Sequence, residues 1–184
     1  MAPVLRIRNP ASRTVALVLS LAVVFCPTIA AGRSDVTETE AVEAAEEPLT
    51  VTMRAKGTFE VKLSPLETYN QAAGAKIGRM SIDKTFAGDL VATSQGEMLS
   101  GGSPAQGSAG YVAMERVTGA MQGRSGSFLL QHSGTMTPNS QTSTIAVVPG
   151  SGTGELEGIA GIMSVEIENG KHFYDFEYTV PSRP

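Results

Sequence analysis

The chain has 184 residues, of which 41% are hydrophobic and 17% charged, and its net charge is −4 at pH 7. This composition is that of a globular domain, and it excludes pervasive disorder. The acidic balance argues against nucleic acid as a partner, because neutralising phosphates requires clustered Lys and Arg.

Residues 1–30 carry the three parts of an export signal. Arg6, Arg8 and Arg13 give a basic start, residues 15–29 form an apolar run that Pro27 breaks, and small residues follow. We expect cleavage near residue 30, which would take the net charge from −4 to −7, and a periplasmic or extracellular protein. The run is short for a membrane span, so no stable span is expected after cleavage. An uncleaved anchor and a lipidated Cys26 are the less favoured alternatives.

The predicted cleavage also determines whether the mature chain has a thiol. Cys26 is the only cysteine and lies in the segment to be removed, so the mature protein would have no thiol. Disulfides, cysteine catalysis and thiolate metal sites are thereby excluded.

Residues 31–50 are acidic and poor in large apolar groups, which predicts a flexible linker.

Residues 51–181 have the pattern of one all-β domain. Alternating stretches are separated by turns rich in Gly, Pro and Asn, without a sustained helical period. The predicted strands are 50–62, 76–86, 90–99, two strands within 107–136, 141–148, 158–168 and 171–180. Eight strands in sequence favour a closed antiparallel meander barrel, because closure removes exposed edges. The interior of such a barrel holds side chains or one small ligand. A two-sheet sandwich is the alternative.

The central hairpin is GSAGYVAMERVTGAMQGRSGSFLLQHSGTM, residues 107–136, with its turn expected at residues 119–123. Glycines in this turn are what a tight reversal requires. The turn is placed between residues 121 and 122. The pairs predicted from that centre are Tyr111 with His132, Ala113 with Leu130, and Glu115 with Phe128. Because side chains alternate along a strand, all six would share one face of the sheet.

Three residues are candidates for acid–base chemistry: Glu97, Glu115 and His132. A carboxylate inside a barrel would lose solvation, and we expect its pKa to rise toward neutrality, as a general acid or base requires. The alternative is that the carboxylates form structural or surface pairs and that His132 makes a structural hydrogen bond. Two histidines forty positions apart are weak support for a metal site, so no metal or cofactor is expected.

The last predicted strand has an aromatic face with polar tips. His172, Tyr174, Phe176 and Tyr178 alternate with Phe173, Asp175, Glu177 and Thr179, and the first set is expected to face inward. Tyrosine and histidine suit a cavity wall, because each offers apolar area and one hydrogen-bonding group. Core packing with satisfied hydroxyls is the alternative. The candidate ligand-binding residues are Tyr111, Phe128, His172, Tyr174 and Tyr178.

Six blocks of the sequence, in order, resemble an uncharacterised bacterial family of small domains that is grouped with the allene oxide cyclase-like barrels. The blocks are GRMSIDKTFAGDL (78–90), SQGEML (94–99), AGYVAMERVTG (109–119), GRSGSFLLQHSGTM (123–136), VVPGSGTGELEGIAG (147–161) and GKHFYDFEY (170–178). The resemblance covers about residues 51–181 and implies an eight-stranded antiparallel barrel. It implies no established reaction. The catalytic positions of the plant cyclases do not match this chain residue by residue, so their activity is not transferred.

Three functions are consistent with these observations. The leading hypothesis is an exported barrel that binds a small, mostly apolar molecule in its interior or at its mouth. The second is an isomerase or cyclase on the same scaffold, in which a Glu or His moves a proton. The third is an interaction module of the cell envelope, which predicts a packed interior and an exposed apolar patch, with a homo-oligomer as one outcome.

Overall fold

The structure of the chain is a computed structural model that describes residues 5–6, 51–72 and 76–181. The predicted signal segment, apart from Leu5 and Arg6, and the predicted linker up to residue 50 lie outside the described residues. Leu5–Arg6 forms a two-residue strand that pairs with Ile167 and Glu166. The described residues all belong to one compact unit.

Eight long strands build the described part of the chain. They are β1 (Thr52–Leu66), β2 (Ile77–Gly88), β3 (Leu90–Ser103), β4 (Ser108–Met121), β5 (Arg124–Thr137), β6 (Ser140–Val147), β7 (Ala160–Glu168) and β8 (Lys171–Thr179). Each strand pairs antiparallel with the next along the chain, and β8 pairs with β1. The sheet therefore closes on itself, which confirms the predicted meander barrel and not the sandwich.

Short elements complete the wall. Pro104–Gln106 forms a turn of 3₁₀ helix between β3 and β4. Thr153–Gly154 forms a two-residue strand beside Gly126 and Ser127 of β5.

Two-residue turns set the register of the hairpins. Gln122 and Gly123 have φ values of 48° and 84°, and Asn169 and Gly170 have 51° and 78°. Positive φ at both positions is the requirement of the type I′ turn, whose twist matches that of the strands it joins. Between β4 and β5 the turn thus centres one residue later than predicted.

The later turn centre moves every pair of this hairpin by two residues. The observed pairs are Tyr111 with Gly134, Ala113 with His132, and Glu115 with Leu130. The predicted pairs were therefore wrong. A displacement of two leaves each side chain on its predicted face, because the side-chain period of a strand is two. Tyr111, Glu115 and His132 accordingly share the inner face.

One end of the barrel is plugged. The connection between β6 and β7, residues 148–159, folds across it and buries Leu156 and Ile159 beside Leu90, Met121 and Tyr178. Backbone hydrogen bonds hold the connection, among them one from the Glu155 amide to the Ser125 carbonyl at 2.8 Å. Burial of these apolar side chains stabilises the closed end.

The opposite end of the barrel is open. There the side chains on the inner face are in contact with solvent, with Leu63 44% and Ile167 37% exposed. Met80, Met98 and Tyr111 are half-buried. The wall is also weakly paired on one side of this end. There β6 and β7 pair at only two positions, Ile145 with Met163 and Ala146 with Ile162.

Candidate functional site

Glu115 lies at the centre of a polar cluster inside the barrel. It is on the inner face of β4 and is 1% exposed. Its Oε1 accepts hydrogen bonds from Lys84 Nζ at 2.7 Å and from His132 Nε2 at 2.9 Å. Its Oε2 accepts a hydrogen bond from Ser94 Oγ at 2.8 Å. Four neighbouring strands, β2 to β5, thus contribute one side chain each, and we call these four residues the Glu115 cluster.

The hydrogen-bond donors of this cluster reverse the expected pKa shift of Glu115. Burial raises the pKa of the carboxyl group, but the hydrogen bond from His132 and the charge of Lys84 outweigh it, and the pKa falls to about 2. The prediction that the pKa of a buried glutamate rises toward neutrality was therefore wrong for this residue. Glu115 is ionised at neutral pH, and its carboxylate holds Lys84, Ser94 and His132 in place.

Lys84 is held between Glu115 and two aromatic rings. Its side chain is 9% exposed, and Nζ lies 5.0 Å from the ring centre of Phe59 and 5.8 Å from that of Phe86. Ring faces attract a cation, so the ammonium group is stabilised on both sides. Neither Lys84 nor Ser94 was predicted as a site residue. The alternation of β2, which places Ile82 and Phe86 inward, was the signal for Lys84.

A glycine lets the strands approach at the cluster. Gly96 lies on the inner face of β3 opposite Glu115. A Cβ added to Gly96 would lie 2.6 Å from the Cα of Glu115, which is closer than such atoms can approach. The absence of a side chain at Gly96 therefore keeps room for the hydrogen bonds of Glu115.

Glu97, the other predicted carboxylate, lies on the outer face of the barrel. Its Oε2 accepts hydrogen bonds from Arg79 Nε at 2.9 Å and Nη2 at 2.5 Å, and both side chains are exposed. Glu115 and His132 are in contact, whereas Glu97 is on the opposite face of the barrel wall.

Three of the predicted ligand-binding residues are part of the packed half of the barrel. Tyr174, Tyr178 and Phe128 are 1–2% exposed. The Tyr174 hydroxyl accepts a hydrogen bond from the Leu90 amide at 2.8 Å, and the Tyr178 hydroxyl donates one to Gln122 Oε1 at 2.8 Å. Burial raises the pKa of both tyrosines. These residues form the core beneath the open half.

Tyr111 and His172 line the open half. The Tyr111 ring covers Gly134, and its hydroxyl lies 2.9 Å from Ser143 Oγ. The His172 ring is half-buried and tilted, 5.0 Å from the ring of Phe59. Met80 and Met98 are half-buried on the same inner face, between the open end and the Glu115 cluster.

The fold and this cluster define a small closed antiparallel barrel with one plugged end and a charged group beneath its open end. Residues 55–178 match the profile of a family described as protein of unknown function (DUF3224), and the chain belongs to that family.

A solved structure supports the family assignment. The crystal structure of a DUF3224 protein of unknown function from Shewanella oneidensis MR-1 is similar, with 49% sequence identity and a TM-score of 0.67. The similarity covers 72% of this chain and 100% of that one. No curated protein matches the chain.

Two further findings concern only the described residues. Within them, no helix is long and apolar enough to cross a membrane. The same part of the chain contains no group of three or more His, Cys, Asp or Glu side chains that could hold a metal ion.

Replacing Glu115 tests the anchoring role. Glu115→Gln leaves the buried ammonium group of Lys84 without its counter-charge, so we expect a loss of about 3–5 kcal/mol in the free energy of unfolding. Urea denaturation at pH 7 measures it. Glu97→Gln is the matched control, since it breaks an exposed pair and should cost about 1 kcal/mol or less.

The same comparison has an expected pH dependence. The pKa of Glu115 is about 2 in the folded chain against an ordinary value of 4.5, so its stabilisation is present above pH 4.5 and disappears as the pH falls through 2. The stability gap between the wild type and Glu115→Gln should therefore narrow by about 3 kcal/mol over that range. A gap that does not change with pH would contradict the assignment.

Proposed function

We propose that the protein binds a small, mostly apolar molecule in the open half of the barrel. One observation carries the proposal, namely the gradient of exposure along the inner face. Most inward side chains between the plug and the Glu115 cluster are buried, whereas Met80, Met98, Tyr111 and His172 toward the open end are half-buried and Leu63 and Ile167 are exposed. A packed floor beneath an accessible, concave lining is the usual architecture of a small-molecule site.

The lining suggests the chemistry of the ligand. Met80 and Met98 are flexible apolar side chains that adapt to irregular shapes. Tyr111 and His172 add aromatic area with polar groups at the rim. The charges of Lys84 and Glu115 neutralise each other, so the floor favours no strongly charged ligand. A molecule with an apolar body and one hydrogen-bonding group fits this arrangement.

Binding can be tested with the neutral fluorescent probe N-phenyl-1-naphthylamine. We expect its fluorescence to rise on addition of the protein, because the probe leaves water for an apolar lining. Met98→Trp should fill the mouth and weaken binding by about ten-fold or more, equivalent to about 1.4 kcal/mol. Val91→Trp is the matched control, because Val91 is 65% exposed on the outer face.

Equal affinity of the two tryptophan variants would show that the probe binds elsewhere. Absence of binding to the wild type would count against the site. Native mass spectrometry and solvent extraction of the purified protein would then identify any molecule that copurifies with it.

We also propose that the protein is exported and that its signal segment is cleaved. The basic start, the apolar run and the small residues near residue 30 support this. Since Cys26 is the only cysteine, protein recovered from the cell envelope should contain no titratable thiol and should lack about 30 residues by intact mass. One thiol per chain in the recovered protein would refute cleavage.

A second candidate function is an interaction module that associates with its own copy. The outer face of β2 to β4 carries four large apolar side chains that are 44–54% exposed, namely Ile77, Leu99, Val112 and Met114. We call these four residues the outer apolar patch. Beside them lies a concavity of about 550 Å³ that includes Gly101 and Gly110. The patch has no unpaired charge of its own, because Arg79 and Glu97 at its edge neutralise each other. Two copies of this acidic chain repel each other least across such a surface.

Sedimentation velocity tests this association. We expect the wild type to sediment as a dimer and Val112→Asp as a monomer, because a carboxylate in the contact would lose its water without gaining a partner. Val91→Asp, on the outer face away from the patch, is the control and should remain dimeric. A monomeric wild type at the highest soluble concentration would remove the candidate.

A further inference from the structure

The hydrogen bonds of the Glu115 cluster determine which nitrogen of His132 carries a proton. An ionised carboxylate can only accept hydrogen bonds. The contact of 2.9 Å between His132 Nε2 and Glu115 Oε1 therefore requires a proton on Nε2. In the neutral imidazole, the lone pair is then on Nδ1.

Nδ1 of His132 is available for chemistry. Among the described residues, the hydrogen bond of the His132 ring is the one that Nε2 makes. No fully buried side-chain nitrogen or oxygen of this part of the chain lacks a partner, so Nδ1 is not sealed inside the wall. His132 is nevertheless only 5% exposed, and its inward neighbour toward the open end is Gly134, beneath the Tyr111 ring. A molecule that reaches His132 from the open half would meet an imidazole shielded from bulk water.

We propose that His132 is a general base that removes a proton from a carbon of the bound molecule, and that Glu115 is its positioning residue. The inference rests on the proposed binding site and adds an activity to it. Glu115 holds the ring through Nε2, while Lys84 and Ser94 fix the carboxylate in turn. This chain of contacts sets the direction of the Nδ1 lone pair, as the orienting group does in other base–carboxylate pairs.

The substrate class follows from the chemistry of a single base. The molecule must carry a C–H bond acidified by an adjacent carbonyl or an equivalent electron-withdrawing group. The proton moves to Nδ1, and the electron pair of the C–H bond passes into the conjugated system. The imidazolium then returns the proton to a different carbon of the same molecule. The net reaction is an isomerisation, in which no oxidant or reductant takes part.

The cluster stabilises the charge that this reaction creates. The imidazolium formed by proton transfer lies against the carboxylate of Glu115, and the attraction is strong because both side chains are almost fully buried. Lys84 Nζ lies 2.7 Å from Glu115 Oε1, so the carboxylate has a counter-charge that does not depend on His132.

A probe reaction can test the base without knowledge of the natural substrate. In 5-nitrobenzisoxazole, removal of one C–H proton by a base breaks the N–O bond and releases a coloured cyanophenolate. We expect the wild type to catalyse this elimination at pH 7. His132→Gln keeps a donor for Glu115 but has no basic nitrogen, and should lower kcat by about a hundred-fold.

Further variants separate positioning from stability. Glu115→Gln should lower kcat with little change in KM, since the ring loses its fixed orientation while the lining is intact. If that variant does not fold, the double variant Lys84→Met with Glu115→Gln removes both charges and should show the same loss of kcat. Glu97→Gln makes the same substitution on the outer face and should behave as the wild type.

Two separate measurements distinguish a failure of binding from a failure of catalysis. Displacement of N-phenyl-1-naphthylamine by 5-nitrobenzisoxazole reports binding alone. Displacement without elimination, or elimination that survives in His132→Gln, would overturn the role of His132 and leave the binding site in place. No binding of either compound would refute the proposed function itself. Elimination that depends on His132, with kcat reduced in the Glu115 variants, would support the inference.

Discussion

Pairing of the last strand with the first is the constraint on which the rest of the structure depends. β8 and β1 share eight register positions, from His172 opposite Phe59 to Thr179 opposite Thr52. Without this pairing, the alternation of side chains would define two faces of a sheet and no interior. With it, every second residue of eight strands points to one enclosed region. The aromatic face of β8 is part of the core because closure turns it toward the interior.

Closure also explains why a charged group can be stable inside this protein. A buried carboxylate is expensive unless hydrogen bonds and an opposite charge replace its water. In a barrel, four consecutive strands can each direct a side chain to the same point, and here they supply a lysine, a serine, a glutamate and a histidine. Both oxygens of Glu115 are thereby satisfied. The cluster lies where the packed half meets the open half, and it forms the floor of the proposed binding site.

The eight strands, their order and most of their bounds could be predicted from alternation and turn residues, because both are local signals. The common face of Tyr111, Glu115 and His132 was predicted even though the turn centre was wrong by one residue. Partners across strands were less accessible to prediction. Lys84 belongs to the inward set of β2, yet a lysine in a strand is usually exposed, so its role as counter-charge was missed and the pKa of Glu115 was predicted in the wrong direction.

Glu97 and the plug show other limits of sequence patterns. β3 has apolar residues at both parities, with Leu90 and Ala92 inward and Val91 and Leu99 outward, so its alternation does not decide the face of Glu97. The strand predicted over residues 158–168 included Ile159, which instead belongs to the glycine-rich connection after β6. The two buried residues of this connection, Leu156 and Ile159, act at long range, and only the closed barrel shows what they cover.

The short seam between β6 and β7 gives the wall an uneven strength. β3 and β4 are joined at fourteen register positions, whereas β6 and β7 are joined at two. Regions with few hydrogen bonds open locally at a small fraction of the global unfolding free energy. We therefore expect the barrel wall to open first along this seam while the other seven joints stay intact.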